Sequence, residues 1–115
     1  MALPTIQSAI PKRRYQFGEF TITLLSDISS SDPVSYLFIA AVLREGESKP
    51  EVYITCEATT SNDENIYRIR VLSEQDEHII SEDKQWRHEQ KFCDYALQGI
   101  QQMFELSDET PILVG

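Results

Sequence analysis

Between Tyr15 and Leu72 the chain passes through short apolar stretches separated by connections of only hairpin length, and this spacing constrains the fold more than any other feature. Parallel neighbours in a sheet need a crossover of about a dozen residues or more, so strands spaced this closely pair antiparallel. The cleanest case is 51–58, where Val52, Ile54, Cys56 and Ala58 share one face and Tyr53, Thr55 and Glu57 the other. Residues 66–72 alternate again, with Tyr67, Ile69 and Val71 opposed by Arg68 and Arg70. Residues 15–28 read as the first strand, with Tyr15 and Phe17 on one phase and Phe20, Ile22 and Leu24 on the other. The phase changes across Gly18, where a bulge or tight turn fits.

The segment 34–44 reads in two ways. Asp32 followed by Pro33 suits a helix N-cap with Pro at the first helical position, and Gly46 suits its stop. Against that, Val34, Tyr36, Phe38, Ile39 and Val42 are β-branched or aromatic, and the run is apolar on every side. A strand buried on both faces has that pattern, and a strand is the expectation adopted. Residues 45–50 form a loop, 59–65 a polar, acidic turn, 73–77 another turn, and 78–80 a short fifth strand.

The period then changes. From about 81–83 to 106, Trp86, Cys93, Leu97, Ile100 and Phe104 fall on one helical line, widened by Phe92, Ala96 and Met103. The opposite surface carries His88, Lys91, Tyr95, Gly99 and Gln102. Ser81 or Asp83 serves as N-cap, and Glu82 and Asp83 lie at the positive end of the dipole. The expected fold is therefore α+β: an antiparallel meander of four or five strands with one long C-terminal amphipathic helix packed on one face. An N-terminal arm (1–14), broken by Pro4 and Pro11 and carrying Lys12, Arg13 and Arg14, precedes a single domain (15–106) and a tail (107–115).

Composition narrows the partners. A chain of 115 residues, 41% apolar and 25% charged, is an ordinary globular domain. Its net charge of −9 is uneven, with five basic and seven acidic residues in 1–57 against five and twelve in 58–115. Such a field repels nucleic acid and anionic membranes and draws in basic proteins. The longest apolar run, 36–43, is too short to span a bilayer, and the opening Met-Ala-Leu-Pro-Thr lacks the pattern of a secretory signal. A soluble, cytoplasmic protein with Cys56 and Cys93 as free thiols is the expectation.

No catalytic constellation stands out. Cys56 lies among apolar neighbours, and neither His78 nor His88 is placed to act as its base. His88 and Cys93 are out of phase on a helix, so they and Cys56 and His78 do not make a zinc site. The stretch 61–65 has oxygen ligands but lacks the glycine and distal Glu of a calcium loop. No catalytic, metal or cofactor-binding residue is assigned, and no cofactor is expected.

What remains is binding. A helix covering one face leaves the second strand with an apolar row on the other, so Leu37, Ile39 and Leu43, with Tyr53 on the next strand, are candidate contacts. Tyr95 and His88 on the outer helix surface are two more. The expected function is a non-enzymatic protein-interaction domain, namely an adaptor, chaperone-like binder or immunity-type inhibitor. Its partner is another protein or a second copy of the chain. One alternative is a small-molecule-binding module or enzyme with a pocket between helix and sheet. The other is a pleckstrin-homology-like binding domain, whose strands followed by a helix are similar to the order here, with Trp86 in the helix. That family needs seven strands and a basic loop face, against four or five and an acidic surface.

Overall fold

The computed structural model describes residues 3–58 and 66–115; the turn and the weak calcium pattern noted within 59–65 lie outside them. The strands are β1 (Ile6–Phe17), β2 (Phe20–Ser30), β3 (Tyr36–Arg44), β4 (Val52–Ala58), β5 (Tyr67–Leu72), β6 (Glu77–Asp83) and β7 (Ile112–Leu113). They form one antiparallel sheet in the order β6-β5-β4-β3-β2-β1-β7, joined by a helix α1 (Glu89–Met103). The α+β meander stands, but with seven strands among the described residues rather than four or five, and six of them precede the helix. Residues 34–44 resolve as strand β3.

Three expectations are corrected. The stretch 15–28 is a hairpin rather than one strand: Phe17 pairs with Phe20 around a turn at Gly18, whose φ is +59°. Positive φ at the first central residue alone is the type II′ pattern, which glycine fills without strain. Because Tyr15 then lies opposite Ile22, the change of phase returns both to the same face.

The supposed arm, 1–14, enters the sheet at Ile6. Pro11 is tolerated because this part of β1 pairs only with β2, and the register shifts between Pro11 and Arg13. Arg13 is not a solvated cation: it meets Glu89 at 3.5 Å and donates to Gln90 at 2.6 Å, tying β1 to the start of α1. The tail also joins the sheet, since Tyr15 pairs with Leu113 and Arg14 N–H donates to the Gly115 carbonyl at 2.8 Å.

The helix is 15 residues long and begins eight residues after Ser81. Residues 81–83 belong to β6, where Glu82 pairs with Arg68 at 2.9 Å. Asp83 does cap a turn, but a 3₁₀ turn at Lys84–Arg87, by accepting from Gln85 N–H. That turn drops Trp86 into the core, and His88, extended at ψ 120°, redirects the chain into α1. At the other end Glu105 adopts φ +56° and Leu106 N–H donates to the Gln101 carbonyl, a Schellman closure with Glu in the position glycine usually takes.

α1 buries Phe92, Cys93, Ala96 and Ile100 against Phe38, Ala40 and Val42 of β3 and Ile54, Cys56 and Ile69 beyond it. Phe92 stacks on Phe38 with ring centroids 5.6 Å apart. The other face of the sheet holds a smaller buried set outside this cluster: Ile39, Leu72, Thr55 and Glu57. There Arg70 Nε and Thr55 Oγ1 both donate to Glu57 Oε2 at 2.7 Å, and Arg70 also pairs with Glu77.

Candidate functional site

α1 lies closest to β3 and the 3₁₀ turn packs on β5, so toward Val71 and Ile80 the helix side of β5 and β6 is only partly covered. Residues Tyr95, Gln98, Gly99, Gln102 and Met103 form a second stripe on α1, displaced from the buried one, at the i, i+3, i+4, i+7, i+8 spacing of one helical face. Facing it across the gap are Val71 of β5 and Ile80 of β6. They enclose a groove of about 380 Å³. A second cavity of about 350 Å³ shares Val71, Ile80 and Met103 and continues past His78 to Val52 and Asp76.

The edge strand explains why Ile80 faces the groove. Ile69 pairs with Ser81 and Arg70 with Ile79, so Ile80 is the extra residue of a bulge. Bulges on edge strands re-aim side chains and discourage pairing with other chains. Ser81 is held by Trp86, whose Nε1–H donates to Ser81 Oγ at 2.9 Å. Trp86 in turn lies 4.5 Å from the Tyr95 ring, and Tyr95 hydroxyl donates to the Ile80 carbonyl at 3.4 Å. The groove therefore has a rigid floor at one end. At the other end Met103 and Ile80 are each 40% exposed, large apolar side chains that solvent reaches.

Charge singles out the same place. The elements that carry the two walls, 71–83 and α1 (Glu89–Met103), hold seven acidic residues and one Lys. Those elements carry −6 of the net charge of −9, while the tail with Asp108 and Glu109 runs to the opposite edge of the sheet beside β1. Of the nearby cations, Arg68 and Arg70 are engaged with Glu82, Glu57 and Glu77.

The six residues singled out from sequence are scattered. Tyr95 lines the groove. His88 is exposed at the N-cap of α1. Leu37 sits at the β3–β4 register shift and packs against the main core rather than in a row with Ile39. Ile39 is 0% exposed, so it offers nothing to a partner; Leu43 and Tyr53 are half-buried. Neither terminus folds over this face, because both extend the sheet instead. Val71, Ile80, Gly99 and Met103 were missed as site residues. Gly99 belongs to the outer helix surface that the sequence shows, whereas Met103 falls close enough to the core stripe to be assigned to it.

The cysteines are unsuited to nucleophilic work. Burial pushes the Cys56 thiol up to about 12, and it donates to the Trp86 carbonyl at 3.3 Å. Burial also raises Cys93, which lies 3.4 Å from the Tyr15 hydroxyl. Among the described residues no three His, Cys, Asp or Glu side chains converge as metal ligands. No described helix is long and apolar enough to cross a membrane. No protein-family model matches the chain, and neither a curated protein nor a solved structure shows significant similarity to it.

Proposed function

We propose that this chain is a non-enzymatic, cytoplasmic protein-interaction domain, and that it docks a basic, apolar-anchored segment of another protein in the groove between α1 and β6. The observation that carries this reading is the coincidence of an open apolar groove with wall elements that hold most of the net negative charge. Apolar contact in the groove supplies affinity, and the surrounding acids speed encounter with a basic partner and disfavour acidic ones. A second copy of the chain is a poor occupant, because each copy would bring the same net negative walls to the contact.

Gly99 provides the test. It lies within α1 on the groove wall, and a Cβ placed there meets nothing within 4 Å outside its own stretch of helix, so a substitution starts into open space. The full-length protein, Gly99→Trp and the exposed-strand control Gln7→Ala would each be immobilised and exposed to native lysate. The expected result is a basic protein retained by wild type and Gln7→Ala, reduced roughly tenfold or more on Gly99→Trp, and released by raised salt. Recovery unaffected by Gly99→Trp, or no salt-sensitive basic partner at all, overturns the reading.

A further inference from the structure

The groove also indicates the conformation of what fills it, an inference that rests on the docking role just proposed. A partner segment can enter such a site as an added strand or as a helix, and the two demand different things of the host. Strand addition needs an edge whose backbone groups are free and evenly spaced. β6 fails on both counts where the groove lies: Ile80 is a bulge residue, and its carbonyl already accepts from the Tyr95 hydroxyl. Glu77, Glu82 and Asp83 further place charge along the strand, a common means of blocking edge pairing.

α1 meets the other demand. From Tyr95 to Met103 its outer stripe runs ~12 Å, at 1.5 Å per residue. At the centre of that stripe is Gly99, with open space where a side chain would stand. Packed helices usually lie about 8–10 Å apart, the distance being set by the side chains at the contact, so a glycine there lets a second helix come close. Tyr95 and Met103 bracket the contact at either end, and Ile80 forms the side wall. Asp76 lines the continuation of the groove and exposed Glu105 lies just past Met103, where Lys or Arg on the flanks of an incoming helix would meet them.

We infer that the groove receives an amphipathic α-helix of the partner, with an apolar stripe seated over Gly99 between α1 and β6 and basic residues along its flanks. The helix lies against α1 rather than pairing with the sheet edge.

The test uses two synthetic peptides of about 14 residues, long enough for partial helix formation. Both have the same Leu, Ala and Lys composition. One places its apolar residues at i, i+3, i+4 and i+7, and the other alternates apolar and Lys strictly. Binding to the full chain would be followed by calorimetry and by amide shifts at Gly99 and Ile80, with helix content of the peptide read by circular dichroism. The helical order should bind roughly tenfold or more tightly than the alternating order, gain helix on binding, and weaken by a similar factor on Gly99→Trp. Met103→Lys, a change at an exposed position, should weaken it too and guards against misfolding of the first variant. Equal or tighter binding of the alternating peptide, or no binding by either, overturns the helical occupant. If lysate capture still depends on Gly99 in that case, the docking role stands and only the inferred conformation fails.

Discussion

On the face that α1 covers, Phe38, Ala40, Val42, Ile54 and Ile69 share one apolar cluster with Phe92, Ala96 and Ile100, whereas on the face behind it Ile39 and Leu72 are buried beside Thr55, Glu57 and Arg70. Both sets exclude water from their buried members, yet only the first lies under a second layer of structure. One strand thereby serves two environments. In β4, Ile54 and Cys56 point to the helix while Thr55 and Glu57 point away, and all four are buried. A slip of one residue would bring Glu57 into the apolar layer and cost the Arg70 pair. The polar side therefore works against wrong registers, and the apolar side supplies the bulk of the stabilisation.

The largest effect expected is at the apolar layer. Phe92 is fully buried and stacked on Phe38, so Phe92→Ala should lose about 3–5 kcal/mol through lost burial and the cavity left behind. Urea denaturation followed through Trp86 fluorescence measures it. A loss below about 1 kcal/mol would mean that α1 is not the main cover of the sheet.

The polar side should answer differently. Glu57 is 1% exposed, and its Oε1 has no hydrogen-bond partner among the described residues, so its charge depends on Arg70 and Thr55 at Oε2. Arg70→Ala leaves that charge buried and unpaired, at a cost of about 3 kcal/mol. Adding Glu57→Leu should recover most of the loss, because replacing a buried pair with apolar groups is often close to neutral. A double-mutant cycle in urea measures the coupling; simple additivity of the two changes would show that the pair does not act as a unit.

The contrast between the faces also explains what the sequence made legible. The alternation in 51–58 and 66–72 placed β4 and β5 correctly, because every second residue there faces a different chemistry. The helix core was legible for the same reason, and Cys93 and Ile100 are buried as the helical spacing implies. Its start was not, because Ser81 and Asp83 are good caps by composition, while the long-range pairing of Arg68 with Glu82 holds those residues in a strand. β1 and β7 were hidden by prolines, basic residues and shortness, since their partners are distant or their apolar residues exposed. The groove was only half legible. A helix shows its own two stripes, but which one the sheet covers depends on where α1 lands, and the bulge that turns Ile80 toward it is a property of pairing with β5.

The smallest effect concerns how far the polar side extends, and pH decides it. Tyr36 lies opposite Glu57 and donates from its hydroxyl to Asp32 at 2.8 Å, and Asp32 also accepts from Thr5 N–H at 2.9 Å. The Thr5 bond above all, then the Tyr36 hydroxyl, holds the Asp32 carboxyl below its ordinary value. A carboxylate depressed in the folded state adds stability above its unfolded pKa of about 3.9, and that stability fades as pH falls through the lower folded value. Asp32→Asn should therefore cost about 1 kcal/mol at neutral pH, the net worth of bonds to a carboxylate that an amide replaces imperfectly. The gap between wild type and variant should close as pH drops below the ordinary carboxylate range, because the wild-type group is then protonated as well. Urea midpoints measured across acidic pH would show this. A gap that stays constant with pH would separate Asp32 from the charged network behind the sheet and confine that network to Thr55, Glu57, Arg70 and Glu77.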